Sequence, residues 1–141
     1  MFDKILLPTD GSEISKNEVE RAIKILDDGG EIIILGVASK IEANTPFHNK
    51  KNVKNMNKAF IEEANANVES MASLFDEEVN LKKLVIAGIP SEIIIDVAEE
   101  EDVDLIIIAA SGTSSMKKYF IGRVAERVLK GTERDVLLIH K

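Results

Sequence analysis

An uncharged apolar run, Leu105 to Ala110, opens without a spacer into a loop of small residues and then into an amphipathic helix start, within the stretch DLIIIAASGTSSMKKYFIGRV from Asp104 to Val124. No other feature constrains the fold as strongly. A strand that is apolar at consecutive positions is buried on both faces, the condition of a parallel strand covered by helices on either side. Ligands of such sheets sit at the carboxyl ends of the strands, where the chain leaves the sheet. Gly112 and Gly122 lack a Cβ and let a loop there bring backbone N–H groups close to phosphate oxygens.

The rest of the chain alternates in the same way. Ile5 to Leu7 reads as a buried strand leaving through Pro8-Thr9-Asp10-Gly11-Ser12. A helix is predicted from Ser12 or Glu13, with Val19, Ala22, Ile23 and Leu26 on one face and Gly29-Gly30 as its stop. Glu31 to Ala38 is a second continuous apolar strand, so the two strands and the helix between them form a βαβ unit, parallel and with a right-handed crossover. Ser39 to Asn52 is polar, contains Pro46 and reads as a loop. Val53, Met56, Phe60, Ala64, Val68, Met71 and Phe75 then mark a long amphipathic helix ending near Asp76.

Leu81 to Ala87 is a third strand, followed by Gly88-Ile89-Pro90-Ser91 and a helix with Ser91 as its N-cap and Ile94, Val97 and Ala98 facing inward. Glu99 to Asp102 reads as a solvated acidic run closing that helix, not as a metal site. Val103 to Ala110 is the fourth strand, Tyr119 to Lys130 the fourth helix and Val136 to Ile139 the last strand. The expected fold class is α/β: a five-stranded parallel sheet, doubly wound with helices on both faces, Rossmann-like, in a single domain over residues 1–141. Winding must reverse in such a sheet, and the loops after the first and fourth strands are placed to meet at the crevice this makes.

Composition narrows the chemistry. With 141 residues the chain can bury a core without staples, and the absence of cysteine excludes disulfides, thiol catalysis and cysteine metal sites. A net charge of -7 argues against general nucleic-acid binding, which rests on Lys and Arg neutralising phosphates. No apolar run reaches the roughly 20 residues of a membrane span, and no signal peptide is apparent at the start, so a soluble cytoplasmic protein is expected. His48 and His140 have no Ser or Asp partner for a triad, and no His/Asp cluster offers a metal site.

Four segments together carry a family likeness. Lys4-Ile-Leu-Leu-Pro-Thr-Asp-Gly-Ser12, Gly88-Ile-Pro-Ser91, Asp104-Leu-Ile-Ile-Ile-Ala-Ala-Ser-Gly112 and Arg134-Asp-Val-Leu-Leu-Ile139 resemble the universal stress protein family, in order and over nearly the whole chain; Lys40 to Asn80 is the variable part. The resemblance implies a five-stranded parallel sheet, a homodimer and, in one branch, an ATP or AMP site marked by G-x2-G-x9-G-[ST]. Here Gly112 and Gly122 keep the spacing of nine residues, whereas the first glycine is Ala109 and the position after Gly122 is Arg123. Ala109 adds one methyl, a small obstacle at negative φ and a serious one at positive φ. Arg123 replaces a compact hydroxyl with a long cation that either clamps a phosphate or fills the pocket.

By the same resemblance Asp10, in the Pro8-Thr9-Asp10 turn, holds a ribose, although capping of the first helix is an alternative role for it. The Val37 backbone meets adenine, and Ala109, Ser111, Gly112, Gly122, Arg123 and Val124 surround phosphates, with Gly88 completing the set. Ser111 and its neighbours Thr113, Ser114 and Ser115 are also readable as plain loop or as phosphorylation sites. A divalent ion, Mg or Mn, could arrive with the phosphates.

The reading is thus an adenine-nucleotide-binding stress-response or regulatory module, dimerising through the edge strand Val136 to Ile139. No nucleophile and base are pre-organised, so ATP hydrolysis is expected to be at most slow and partner-dependent. The alternatives are a nucleotide-free dimer acting as an interaction protein, regulated by phosphorylation of the loop, and an enzyme of another doubly wound class.

Overall fold

The computed structural model describes residues 1–12, 14–41, 50–110 and 121–140. In chain order its elements are β1 (Phe2–Thr9), α1 (Ser15–Ile25), β2 (Leu26–Ala38), α2 (Lys50–Ala72), β3 (Asn80–Ala87), α3 (Pro90–Glu100), β4 (Leu105–Ala109), α4 (Arg123–Gly131) and β5 (Asp135–Ile139). The five strands form one sheet in the order β3-β2-β1-β4-β5, with every pairing parallel.

Successive side chains of a strand point to opposite faces, so continuous apolar runs supply two cores at once. Ile5, Leu7, Ile32, Ile34, Leu105 and Ile107 pack with Ile14, Val19 and Ala22 from the α1 region and Val68 and Met71 of α2. On the other face Leu6, Ile33, Leu35, Ile106 and Ile108 meet Ile94, Val97 and Ala98 of α3 and Ala125 and Val128 of α4. Helices α1 and α2 therefore cover one face and α3 and α4 the other. The chain changes faces after the edge strand β3, and the reversal falls between β1 and β4 at the centre of the sheet. Asp104 fastens that seam: its Oδ2 accepts from the amides of Asp3 at 3.1 Å and Lys4 at 3.0 Å, and its own amide donates to the Lys4 carbonyl at 2.8 Å.

Several boundaries differ from the expectations, each for a local reason. Helix α1 starts at Ser15, not at Ser12 or Glu13, and ends at Ile25, because Leu26 is already extended (φ -78°, ψ 133°) and pairs with Phe2. Gly29-Gly30 is consequently no helix stop. It sits inside β2, where the register jumps from Phe2↔Leu26 to Lys4↔Glu31, a bulge that absorbs the extra residues. The buried face of α1 is rotated as well: Ile23 is 47% exposed, whereas Glu18 is buried with Val19 and Ala22.

Ser91 does not cap α3. Ile89 occupies the N-cap, Pro90 takes the first turn, where it loses no helical hydrogen bond, and Ser91 is buried behind it. Val103 precedes β4 instead of opening it, its amide donating to Ala98 at 3.1 Å. Lys50 to Asn52, expected as loop, are helical, and Met56 on α2 is exposed. Helix α4 begins at Arg123, with Gly122 extended at φ -63° and ψ 158°; Tyr119 and Phe120, expected in that helix, lie outside the described residues.

The acidic run after α3 is not merely solvated. Arg134 donates Nε and Nη2 to the two Glu99 carboxylate oxygens at 3.1 and 2.9 Å and Nη1 to Asp102 at 2.7 Å, while Glu101 takes Lys82 at 2.5 Å. The hydrogen bond from Arg134 holds the Glu99 carboxyl below the usual carboxylate range.

Candidate functional site

At the carboxyl edge of the sheet, where β1 and β4 part, lies a cavity of about 540 Å³, within the range of small-molecule sites. Its walls follow from the topology. The β1–β2 ladder ends at Thr9↔Gly36, whereas β2 continues with β3 to Ala38↔Ala87, so the last residues of β2 extend past the end of β1 and flank the opening. Leu35, Val37, Ile94 and Ile108 supply apolar surface, and Phe60, Ala64 and Asn67 of α2 border it from one side.

Of the residues singled out in the sequence, Pro8, Thr9, Asp10, Val37, Ala109, Gly122, Arg123 and Val124 all line this one cavity. Gly88 is not among its lining residues; it turns the chain between β3 and α3, its amide donating to the Ala38 carbonyl at 3.0 Å. Ser111 and Gly112, with Thr113, Ser114 and Ser115, lie outside the described residues. Ala109 ends β4 with negative φ, since among the described non-glycine residues φ is positive only at Asp102, so its methyl meets the smaller of the two obstacles.

Asp10 is held by its own turn. Its Oδ1 accepts from the Ser12 amide at 2.9 Å, and the Gly11 amide donates to Thr9 Oγ1 at 3.2 Å. Gly11 adopts φ +80°, and a Cβ there would fall 2.5 Å from the Asn67 side-chain oxygen, so another residue would be strained in its backbone and would displace Asn67 of α2. Asp10 does not cap α1, whose N-cap Ile14 receives no side-chain bond.

Opposite the turn, the Gly122 amide donates to the Ala110 carbonyl at 2.5 Å, bringing the two ends of the loop after β4 together. Helix α4 starts there, its N-cap Gly122 offering no side chain to the first turn, and Gly122, Arg123, Val124 and Ala125 line the cavity. The N–H groups of the first turn and the positive end of the helix dipole make that wall favourable to an anion, and Arg123 adds a full charge.

The sequence reading missed Glu18. It lines the cavity from α1, is 2% exposed, and its Oε2 has no hydrogen-bond partner among the described residues. Burial, and secondarily the negative charge of Asp10, push its pKa up to about 8, so the carboxyl is mainly neutral at pH 7. The signal for it was the spacing of four from Ile14 through Glu18 to Ala22, which puts a carboxyl on the buried row of the helix. Among the described residues no group of three or more His, Cys, Asp or Glu side chains is arranged to hold a metal ion, and no helix is long and apolar enough to cross a membrane.

A family model described as the universal stress protein family matches residues 1–140. The chain belongs to the universal stress protein family. Universal stress protein MJ0577 of Methanocaldococcus jannaschii is 32% identical over 161 aligned positions, covering 100% of this chain and 96% of that protein. A solved structure of MJ0577 superposes with a TM-score of 0.82 at 33% identity, over 99% of this chain and 96% of that one. Two more distant structures share the fold of this universal stress protein. One is a universal stress protein in complex with cAMP (22% identity, TM-score 0.59, 99% and 97% covered). The other is a family member from Arabidopsis thaliana with AMP bound (17%, 0.59, 96% and 90%).

Proposed function

We propose that the cavity binds an adenine nucleotide, ATP or AMP, and that the chain acts as a single-domain, homodimeric, cytoplasmic binding module in a stress response. The observation that carries this reading is the polarity of the cavity. Carboxyl groups of Asp10 and Glu18 occupy the side of β1 and α1, the α4 N-terminus and Arg123 occupy the other, and apolar side chains lie between. A ligand with hydroxyls at one end, an anion at the other and a flat apolar body matches that order of surfaces, and a nucleotide has all three. The fold itself accommodates such ligands, as the cAMP and AMP complexes of distant members illustrate.

In this reading Asp10 accepts from the ribose, the Val37 backbone meets adenine, and the α4 N-terminus with Arg123 takes the phosphates. Ser111 and Gly112 join them from the loop, and a divalent ion, Mg or Mn, accompanies ATP through its phosphates. Gly88 serves the turn into α3. Hydrolysis is at most slow, because among the described residues no side chain pairs a nucleophile with a base in the cavity. The dimer forms through β5, an edge strand of sequence DVLLI, whose open side is best covered by its own two-fold copy.

Isothermal titration calorimetry of the full chain with ATP and AMP tests the central claim. Saturable binding is expected, weakened by about tenfold in Asp10→Asn, which keeps the turn's acceptor but loses the charge. No binding at millimolar nucleotide would overturn it.

A further inference from the structure

A carboxyl that is almost wholly buried and has one oxygen without a partner calls for a physical reason, since buried polar atoms are nearly always hydrogen-bonded. Among the described residues Glu18 is such a group, and it borders a cavity instead of a closed core. A metal ion does not supply the reason: among the described residues no third ligand stands with Asp10 and Glu18. A cationic ligand group fits poorly with the opposite wall, where the α4 N-terminus and Arg123 call for an anion on the same molecule.

Asp10 and Glu18 differ in what they offer. The Oδ1 of Asp10 is already engaged by Ser12, and its remaining oxygen is an acceptor. A neutral Glu18 presents both a donor and an acceptor. A hydroxyl lying between them can donate to one and accept from the other, and two adjacent hydroxyls satisfy both carboxyls at once.

We propose that Glu18 is a specificity-determining residue that, with Asp10, binds the vicinal diol of the ligand's ribose and so selects ribonucleotides over deoxyribonucleotides. The inference rests on the nucleotide reading above. Sites built to hydrogen-bond a hydroxyl reject the analogue lacking it far more strongly than apolar sites reject a missing methylene, because their own polar groups are left unpaired. The contact also ties affinity to pH. Above pH 8 Glu18 ionises beside Asp10, with Glu63 of α2 on the same cavity wall and Arg123 of α4 as the cation among the described lining residues. Both the donor and the tolerance for an anionic ligand are then lost.

The test is calorimetry of the full chain with AMP, 2′-deoxy-AMP and 3′-deoxy-AMP at pH 6.5 and pH 9, on the wild type, Glu18→Gln and Glu18→Ala, each checked for folding by circular dichroism. The wild type is expected to favour AMP over each deoxy form by about tenfold or more at pH 6.5 and to lose affinity at pH 9. Glu18→Gln, neutral with donor and acceptor, keeps the preference and does not lose affinity at pH 9. Glu18→Ala brings the preference down to about threefold or less. An unchanged preference in Glu18→Ala, or tighter AMP binding by it, overturns the role of Glu18 while leaving the nucleotide site standing. Failure of every protein to bind any of the three nucleotides overturns the nucleotide reading and this inference with it.

Discussion

Between about pH 4.5 and 8 the folded chain holds a proton on Glu18 that the unfolded chain releases, because burial raises this carboxyl from its ordinary value of 4.5 to about 8. The unfolded state then binds fewer protons, so stability falls as pH rises through this window and levels off above it. The full loss is on the order of a few kcal/mol. Glu18→Gln is expected to remove this slope and to be more stable than wild type at pH 8, measured as urea midpoints from pH 4 to 9; parallel curves for the two proteins would count against it. Gly11→Ala tests the neighbouring turn. A side chain at φ +80° facing Asn67 is expected to cost about 1–3 kcal/mol in urea unfolding and to weaken nucleotide binding. At this scale the sequence was only half readable. Asp10, Val37 and Arg123, far apart in sequence, line one cavity. Glu18 was hidden because the α1 face was phased on Ile23 and Leu26, of which the first is exposed and the second belongs to β2.

Helices deliver the cavity walls, and two of them can be moved separately. Helix α2 approaches β2 at Gly36, where an added Cβ would sit 2.9 Å from the Ala64 carbonyl oxygen, a backbone atom with nowhere to yield. Gly36→Val is expected to push α2 outward, costing about 1–3 kcal/mol and weakening ligand binding through Phe60, Ala64 and Asn67; unchanged affinity and unfolding would show that the helix yields freely. Helix α4 contributes its amino end. Arg123→Glu reverses the charge added to that end and is expected to weaken ATP by about tenfold, to affect the less charged AMP less, and to flatten the salt dependence, all read by titration at two ionic strengths. The edge strand β3 carries Lys82 and Lys83 within its run, whereas continuous apolar runs made β1, β2, β4 and β5 legible, because strands covered on both faces leave no other pattern. Strand ends were not, since Leu26 is placed by pairing with Phe2 across a bulge, and pairing across the sheet leaves no trace in local spacing.

As a whole molecule, the chain has β5 at one edge of its sheet; with the dimer proposed above, sedimentation equilibrium at micromolar concentration is expected to return twice the 15.5 kDa chain mass, and a monomer would remove the dimer from the proposal. The order of the sheet also sets a schedule. Strand β1 is synthesised first and pairs early with β2, but its other neighbour is β4, and the Asp104 clasp joins residues 100 positions apart along the chain. During synthesis on a ribosome the first half can therefore assemble while one edge of β1 waits exposed. That seam closes late, because loop closure over such a distance must precede any gain from the contact. The ligand cavity straddles the same seam, so a nascent chain ending before β4 has no cavity to fill. With the proposed function, a nucleotide would act as a latch on the last step: it would not hasten the early half, but would hold the closed state by mass action once β4 has docked.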